Sequence, residues 1–194
     1  FKMTDYYYKC LPRRYYEHGD YTLEAVQPEH IEKIRIWRNE QMDVLRQPKP
    51  ILKEQQIQYY EKHIWSELKS NQPKNILLSY KHQNMLIGYG GLVNLSWVDK
   101  RGEMSFLLDS SIVENDNHRN IYMSNFITLV KNICFNQLSF NRLYTETFEF
   151  RKFHIKVLCN NGFKEEGCMR QHVYVDNQYY DSILHSIIKD VAYG

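Results

Sequence analysis

The chain has 194 residues, enough to bury a core without disulfide or metal staples and few enough for a single domain. Hydrophobic residues make up 43% and charged residues 25%, the balance of an ordinary globular chain. A net charge of +2 supplies no strong field for nucleic acid, and no apolar run approaches the length of a bilayer span. The opening residues, Phe1-Lys2-Met3-Thr4, carry no apolar stretch of the signal-peptide kind. The four cysteines, Cys10, Cys134, Cys159 and Cys168, show neither metal nor redox spacing. Cys134 and Cys159 fall on apolar faces and read as buried thiols, which fits a reducing cytoplasm.

Residues 1–20 interleave aromatics and cations, as in Tyr6-Tyr7-Tyr8-Lys9 and Arg13-Arg14-Tyr15-Tyr16. They read as an N-terminal arm before a domain spanning 21–194, either an ordered tail or a base-stacking surface. Tyr21 to Val26 alternates as a first strand. Pro28 then takes a favoured first helical position, and Ile31, Ile34 and Trp37 form the apolar stripe of the helix it starts. After the rigid loop Gln47-Pro48-Lys49-Pro50, a second helix over Lys53–Ser70 sets Ile57, Tyr60, Ile64 and Leu68 on one face.

Three strands follow in meander order, at Ile76–Tyr80, Leu86–Leu95 and Glu103–Leu108. The middle one contains Gly88, Gly90 and Gly91, a sign of a bulge or of close approach by backbone or ligand. A polar loop covers Asp109 to Asn120. The spacing of Phe126, Ile127, Val130, Ile133, Cys134 and Leu138 then predicts a long amphipathic helix over Met123–Leu138. A strand at Arg142–Phe150, a short helix at Phe153–Cys159 and two strands around an Asp176-Asn177 turn complete the chain.

Four runs in this order carry a family resemblance. Ile36-Trp37-Arg38-Asn39 closes the first helix, and Asn141-Arg142-Leu143 begins the strand after the long helix. Asn161-Gly162-Phe163-Lys164-Glu165-Glu166-Gly167 follows the last helix, and Tyr179-Tyr180-Asp181-Ser182-Ile183-Leu184 forms the closing strand. Over roughly residues 20–190 the chain resembles the GNAT N-acetyltransferases, in particular their RimJ/RimL-like branch. Within that branch it is similar to the PseH-like enzymes that acetylate amino groups on nucleotide-linked sugars.

The resemblance implies an α/β fold of the layered α+β kind, with a mixed central sheet of about seven strands flanked by about four helices. It also implies acetyl transfer from acetyl-CoA, with no metal, to a primary amine. The expected partners are a small-molecule amine, in the closest subgroup a nucleotide-linked sugar, and a second copy of the chain in a homodimer. The resemblance places the thioester arm along Phe106, Leu107 and Leu108. It places the pyrophosphate at Arg119, Asn120, Ile121, Tyr122 and Ser124. The acceptor would meet Trp37, Arg38, Asn39, Tyr89 and Asn94.

Two motifs depart from the family pattern. The pyrophosphate loop should present two glycines before the central helix, and Arg119 to Ser124 contains none. The tyrosine acid of many members is Leu158 here, and the Asn-x-x-Ser pair of the RimJ/RimL branch is Arg151 and His154. His154 becomes a proton-transfer candidate, or else a solvent-facing histidine at a helix start. Glu103 is the leading base candidate, with a strand-end surface carboxylate as the plain alternative; Glu146 and Glu149 read as facing solvent. Zinc-protease, EF-hand, nucleophile-elbow and P-loop signatures do not occur. The competing functions are acetylation of a protein N-terminus or lysine, and a degenerate GNAT fold that binds without transferring acyl groups.

Overall fold

A computed structural model of the chain describes residues 6–189. Eight strands form one sheet: β1 (Tyr15–His18), β2 (Tyr21–Ala25), β3 (Ile76–His82), β4 (Met85–Ser96), β5 (Arg101–Leu108), β6 (Arg142–Phe148), β7 (Lys164–Val175) and β8 (Gln178–Ile188). Their spatial order is β1-β2-β3-β4-β5-β6-β8-β7, antiparallel throughout except for the parallel β5–β6 pair. The helices are α1 (Ile31–Glu40), α2 (Lys53–Tyr59), α3 (Asp116–Lys131) and α4 (Lys152–Asn160). Among the described residues no helix is long and apolar enough to cross a membrane.

The sheet has one more strand than the resemblance implies. The addition comes from the predicted arm, whose residues Tyr15–His18 pair with Tyr21–Glu24 around Gly19. Tyr8, Leu11 and Tyr16 bury their side chains in the core, and the Leu77 amide donates to Tyr8 Oη at 2.9 Å. Arm residues 1–5 and domain residues 190–194 lie outside the described part.

Strand β3 is buried from Ile76 to Tyr80 on both faces, which explains its continuous apolar run rather than an alternating one. The larger core lies on the α3 and α4 side and holds Leu78, Tyr80, Phe126, Leu143 and Leu158. The smaller core lies under α1 and α2 and holds Ile34, Trp37, Tyr60, Leu77 and Leu107. The second predicted helix is α2 followed by a π turn at Tyr60–Ile64 and a 3-10 turn at Trp65–Glu67. Cys134 is buried as expected, and burial pushes its thiol up to about 12. Cys159, expected to be buried, is exposed: α4 turns Val157 and Leu158 inward and leaves the next position outside.

The glycines of β4 serve close packing of protein on protein. A Cβ at Gly90 would stand 2.1 Å from the Ser105 carbonyl oxygen and 2.8 Å from Phe126 Cζ. Its absence lets β4 press against β5 while α3 presses on both. A register shift between Val93 and Ser96 then bends the end of β4, with Asn94 at φ 50°.

Candidate active site

The site begins with a seam that opens. β5 and β6 pair only through Arg101–Arg142, Gly102–Leu143 and Glu103–Tyr144. Beyond Glu103, β5 continues to pair with β4 as far as Leu108, but among the described residues its other edge has no strand beside it. The Asp109 amide donates to the Ile87 carbonyl, which fixes the parity of that ladder. Ser105 and Leu107 therefore spend their backbone groups on β4, while Met104, Phe106 and Leu108 turn theirs toward the gap. Gln41 Nε2 donates to the Leu108 carbonyl from the gap side at 2.9 Å, in agreement with that parity.

Three connected cavities surround the opening. The largest, 570 Å³, runs from Phe106 and Leu108 past Arg119 and Met123 to Lys152 and Phe153. A 230 Å³ cavity fills the gap itself, between Glu103 and Glu146. A 400 Å³ cavity lies under α2, against Tyr59 and Tyr89. Arg151 and His154 line both the first and the second, and Arg38 lines both the second and the third.

Arg151 caps α4. Its amide donates to the Phe148 carbonyl and its carbonyl accepts from Ile155. Burial holds its guanidinium down to about 10, with nearby Asp43 opposing that shift. Its Nη2 lies 3.2 Å from His154 Nδ1. A guanidinium only donates, so Nδ1 accepts and the neutral ring carries its proton on Nε2. Burial, then Arg151, lowers the His154 pKa well below its usual range, keeping the ring neutral. His154 therefore lines the cavity as a half-buried hydrogen-bond donor.

Glu103 opens onto the gap. Its Oε2 accepts from Asn94 Nδ2 at 2.8 Å, and Arg46 lies 3.7 Å from its Oε1. Arg46 also forms a close ion pair with Glu146, whose side chain is only 11% exposed. Glu146 is thus a wall of the gap and not the solvent-facing residue expected. Glu149 accepts from the Asp181 amide and does structural work at the strand end. Arg38 reaches across from α1 and donates to Tyr89 Oη at 2.7 Å and to Gln47 Oε1 at 3.1 Å. Asn39 ties down the proline loop, its Oδ1 accepting from the Ile51 amide and from Gln47 Nε2.

Several expected contacts lie elsewhere. Trp37 is a core residue, 3% exposed, and does not line any of the three cavities. Residues 119–124 form no loop before the helix, because α3 already begins at Asp116. Asn115 caps it by accepting from the His118 amide, and the Arg119 amide donates to the Asn115 carbonyl. From Arg119 onward the amides are spent inside the helix, leaving at most those of Asp116 and Asn117 for an anion. Arg119 still reaches the large cavity. Ile121 is exposed, Tyr122 packs near Tyr21 and His82, and Ser124 accepts from Asn161, with Asn120 beside it. Sequence reasoning missed Gln41, Arg46, Tyr59 and Lys152, which come from loops and helix edges without a motif. Among the described residues no cluster of His, Cys, Asp and Glu is placed to hold a metal.

The family described as "Acetyltransferase (GNAT) domain" matches residues 23–184. The chain belongs to the GNAT acetyltransferase family. A relative, "Uncharacterized N-acetyltransferase YoaA" of Bacillus subtilis (strain 168), is 29% identical over 104 residues, 54% of this chain. The match spans 56% of that relative, so the chain covers about half the length of the curated protein it matches. The GNAT fold also appears in solved structures. Spermidine N-acetyltransferase from Vibrio cholerae, in complex with CoA and spermine, is similar with a TM-score of 0.80 and 16% identity, over 91% of this chain and 100% of that one. A GCN5-related N-acetyltransferase from Brucella melitensis is similar with a TM-score of 0.69 and 17% identity, over 92% and 80%.

Proposed function

We propose that the protein transfers an acetyl group from acetyl-CoA to a primary amine. The observation that carries this reading is the opening of β5 from β6 after three paired residues, with three cavities meeting at the gap. Acetyl-CoA supplies the acyl group as a thioester. The free edge of β5 suits its amide-bearing arm, which pairs as an added strand would. Arg119 and Lys152 offer the charge for its phosphates at the wide end, in place of the helix amides that a glycine-rich turn would present.

The chain's own groups divide the work. The Phe106 amide, turned into the gap, polarises the thioester carbonyl. Glu103 takes the amine proton, directly or through water, as the new C–N bond forms. The C–S bond breaks and its electron pair leaves on sulfur, where the Arg151 guanidinium and the His154 Nε2–H stabilise the negative charge. A solvent proton later completes the thiol.

The acceptor we favour is an amino sugar linked to a nucleotide, within the RimJ/RimL-like and PseH-like part of the family. Its support is the four sequence runs and the 400 Å³ cavity with Tyr59 as an aromatic wall. Spermidine acetyltransferases share the fold and act on polyamines, which makes polyamines the first comparison substrate. A dodecameric form of the Vibrio cholerae enzyme gives self-association, expected here as a homodimer, a precedent in the fold. A cytoplasmic setting is supported by the free state of the four cysteines.

A second reading, a GNAT fold that binds without catalysis, is favoured by the helix amides spent from Arg119 onward. Calorimetric titration with acetyl-CoA, followed by thiol release with a panel of amines, tests both. Heat and turnover support the transferase, and heat without turnover supports the binder. No heat at large excess removes the cofactor from both readings. Protein N-termini and lysine peptides belong in the same panel.

A further inference from the structure

Arg38 is a half-buried cation that, among the described residues, forms no ion pair with a carboxylate. Other arginines of this chain meet carboxylates: Arg35 with Glu32, Arg46 with Glu146, Arg142 with Glu166. Arg38 meets only neutral oxygens, through Nε to Gln47 and Nη1 to Tyr89, and among the described residues its Nη2 has no acceptor. Desolvating a guanidinium against neutral partners is unfavourable, and an anion supplied from outside relieves it. Among the described residues Arg38 is the sole charged side chain on the 400 Å³ cavity, whose other walls include Tyr59, Tyr60, Gln55 and Ile51. Burial raises the Tyr59 and Tyr60 pKa values, so those walls stay neutral across the physiological range. On the far side of Arg38, the gap cavity holds Glu103.

From this arrangement, and resting on the acetyltransferase reading above, we infer that the acceptor carries an anionic group, phosphate or carboxylate, which Arg38 binds while the amine lies toward Glu103. The guanidinium edge left open by Gln47 and Tyr89 suits two oxygens of one anion. The same charge disfavours a polycation, because a polyamine seated in this cavity would place ammonium groups against Arg38 with no carboxylate among the described wall residues. The acceptor class thus differs from that of the spermidine enzymes that share the fold.

The test measures thiol release with acetyl-CoA and matched acceptors: a free amino hexose, its 1-phosphate, its nucleoside-diphosphate conjugate, an amino acid and spermidine. Wild-type protein should favour an anionic amine over its neutral congener by about tenfold or more in kcat/KM. R38Q should bring that ratio close to one, and R38K should restore part of it. The phosphate and amino-acid arms distinguish the two sources of anion. A merely structural role for Arg38 would lower all acceptors together and leave the ratio unchanged. That result, or spermidine as the best substrate, overturns the inference while the transferase reading stands. Binding of inorganic pyrophosphate in the presence of saturating CoA, which fills the phosphate site at Arg119 and Lys152, gives an arm independent of turnover. R38Q should weaken it, and equal affinity in a folded R38Q overturns the anion site even if no amine is ever acetylated.

Discussion

The two edges of β5 have opposite characters. Along one edge, Glu103 to Leu108 pair in register with Val93 to Gly88, and Gly90 allows the strands and Phe126 to close without a void. Along the other, pairing stops after Glu103, and the backbone of Phe106 and Leu108 faces a polar gap bounded by Glu146, Arg151 and His154. The same strand therefore supplies both rigidity and an unpaired template. The closed edge holds the open edge in place, which is what a positioning site requires.

The largest effect should come from breaking the closed edge. Gly90→Val would drive a side chain into the Ser105 carbonyl and Phe126, costing about 3 kcal/mol or more. Thermal melts should show a large loss or no folded protein; a near-wild-type melt would mean the two strands are not locked as described. Next comes the open edge. Glu103→Gln should lower kcat about 100-fold or more while leaving the melting temperature nearly unchanged. Unchanged turnover would transfer the base role to Glu146 or to water.

Hydrogen exchange compares the edges directly, with a smaller effect. The amides of Ser105 and Leu107 should exchange slowly, those of Phe106 and Leu108 faster, and added acetyl-CoA should slow the second pair. Equal protection in the free protein would contradict the parity assigned to the ladder.

The smallest effect is a pH slope. The folded chain holds His154 below its usual pKa, so below about 6.5 the unfolded chain binds a proton that the folded chain refuses. Stability should fall as the pH drops through that range. His154→Gln should remove part of the slope, because buried His30 and His185 are shifted in the same direction. An identical slope in the variant would place His154 in water.

Much of the fold was legible because packing writes periodicity. The buried run Ile76–Tyr80 and the spacing from Phe126 to Leu138 announce a central strand and the core helix. The start of α3 was misread because its first turns, from Asp116 to Asn120, face solvent and carry no apolar signal. Its only local mark is the Asn115 cap. β1 escaped because four residues, one of them buried, make no pattern. Among the candidate site residues, Glu103, His154, Arg38 and Phe106–Leu108 could be named because strand position and family resemblance point to them. Arg46, Gln41 and Tyr59 could not, since each reaches the gap from an element distant in the chain.

The sequence by itself determined the order of elements from β2 onward, the close-packed glycines and the family, because these depend on local conformational preference and on which side chains leave water. Only the tertiary structure decided where β5 and β6 part, which backbone groups stay unpaired, and that Arg38 meets no carboxylate among the described residues. Those features depend on long-range juxtaposition, where a charge or an amide acquires its meaning from what is, or is not, placed opposite it.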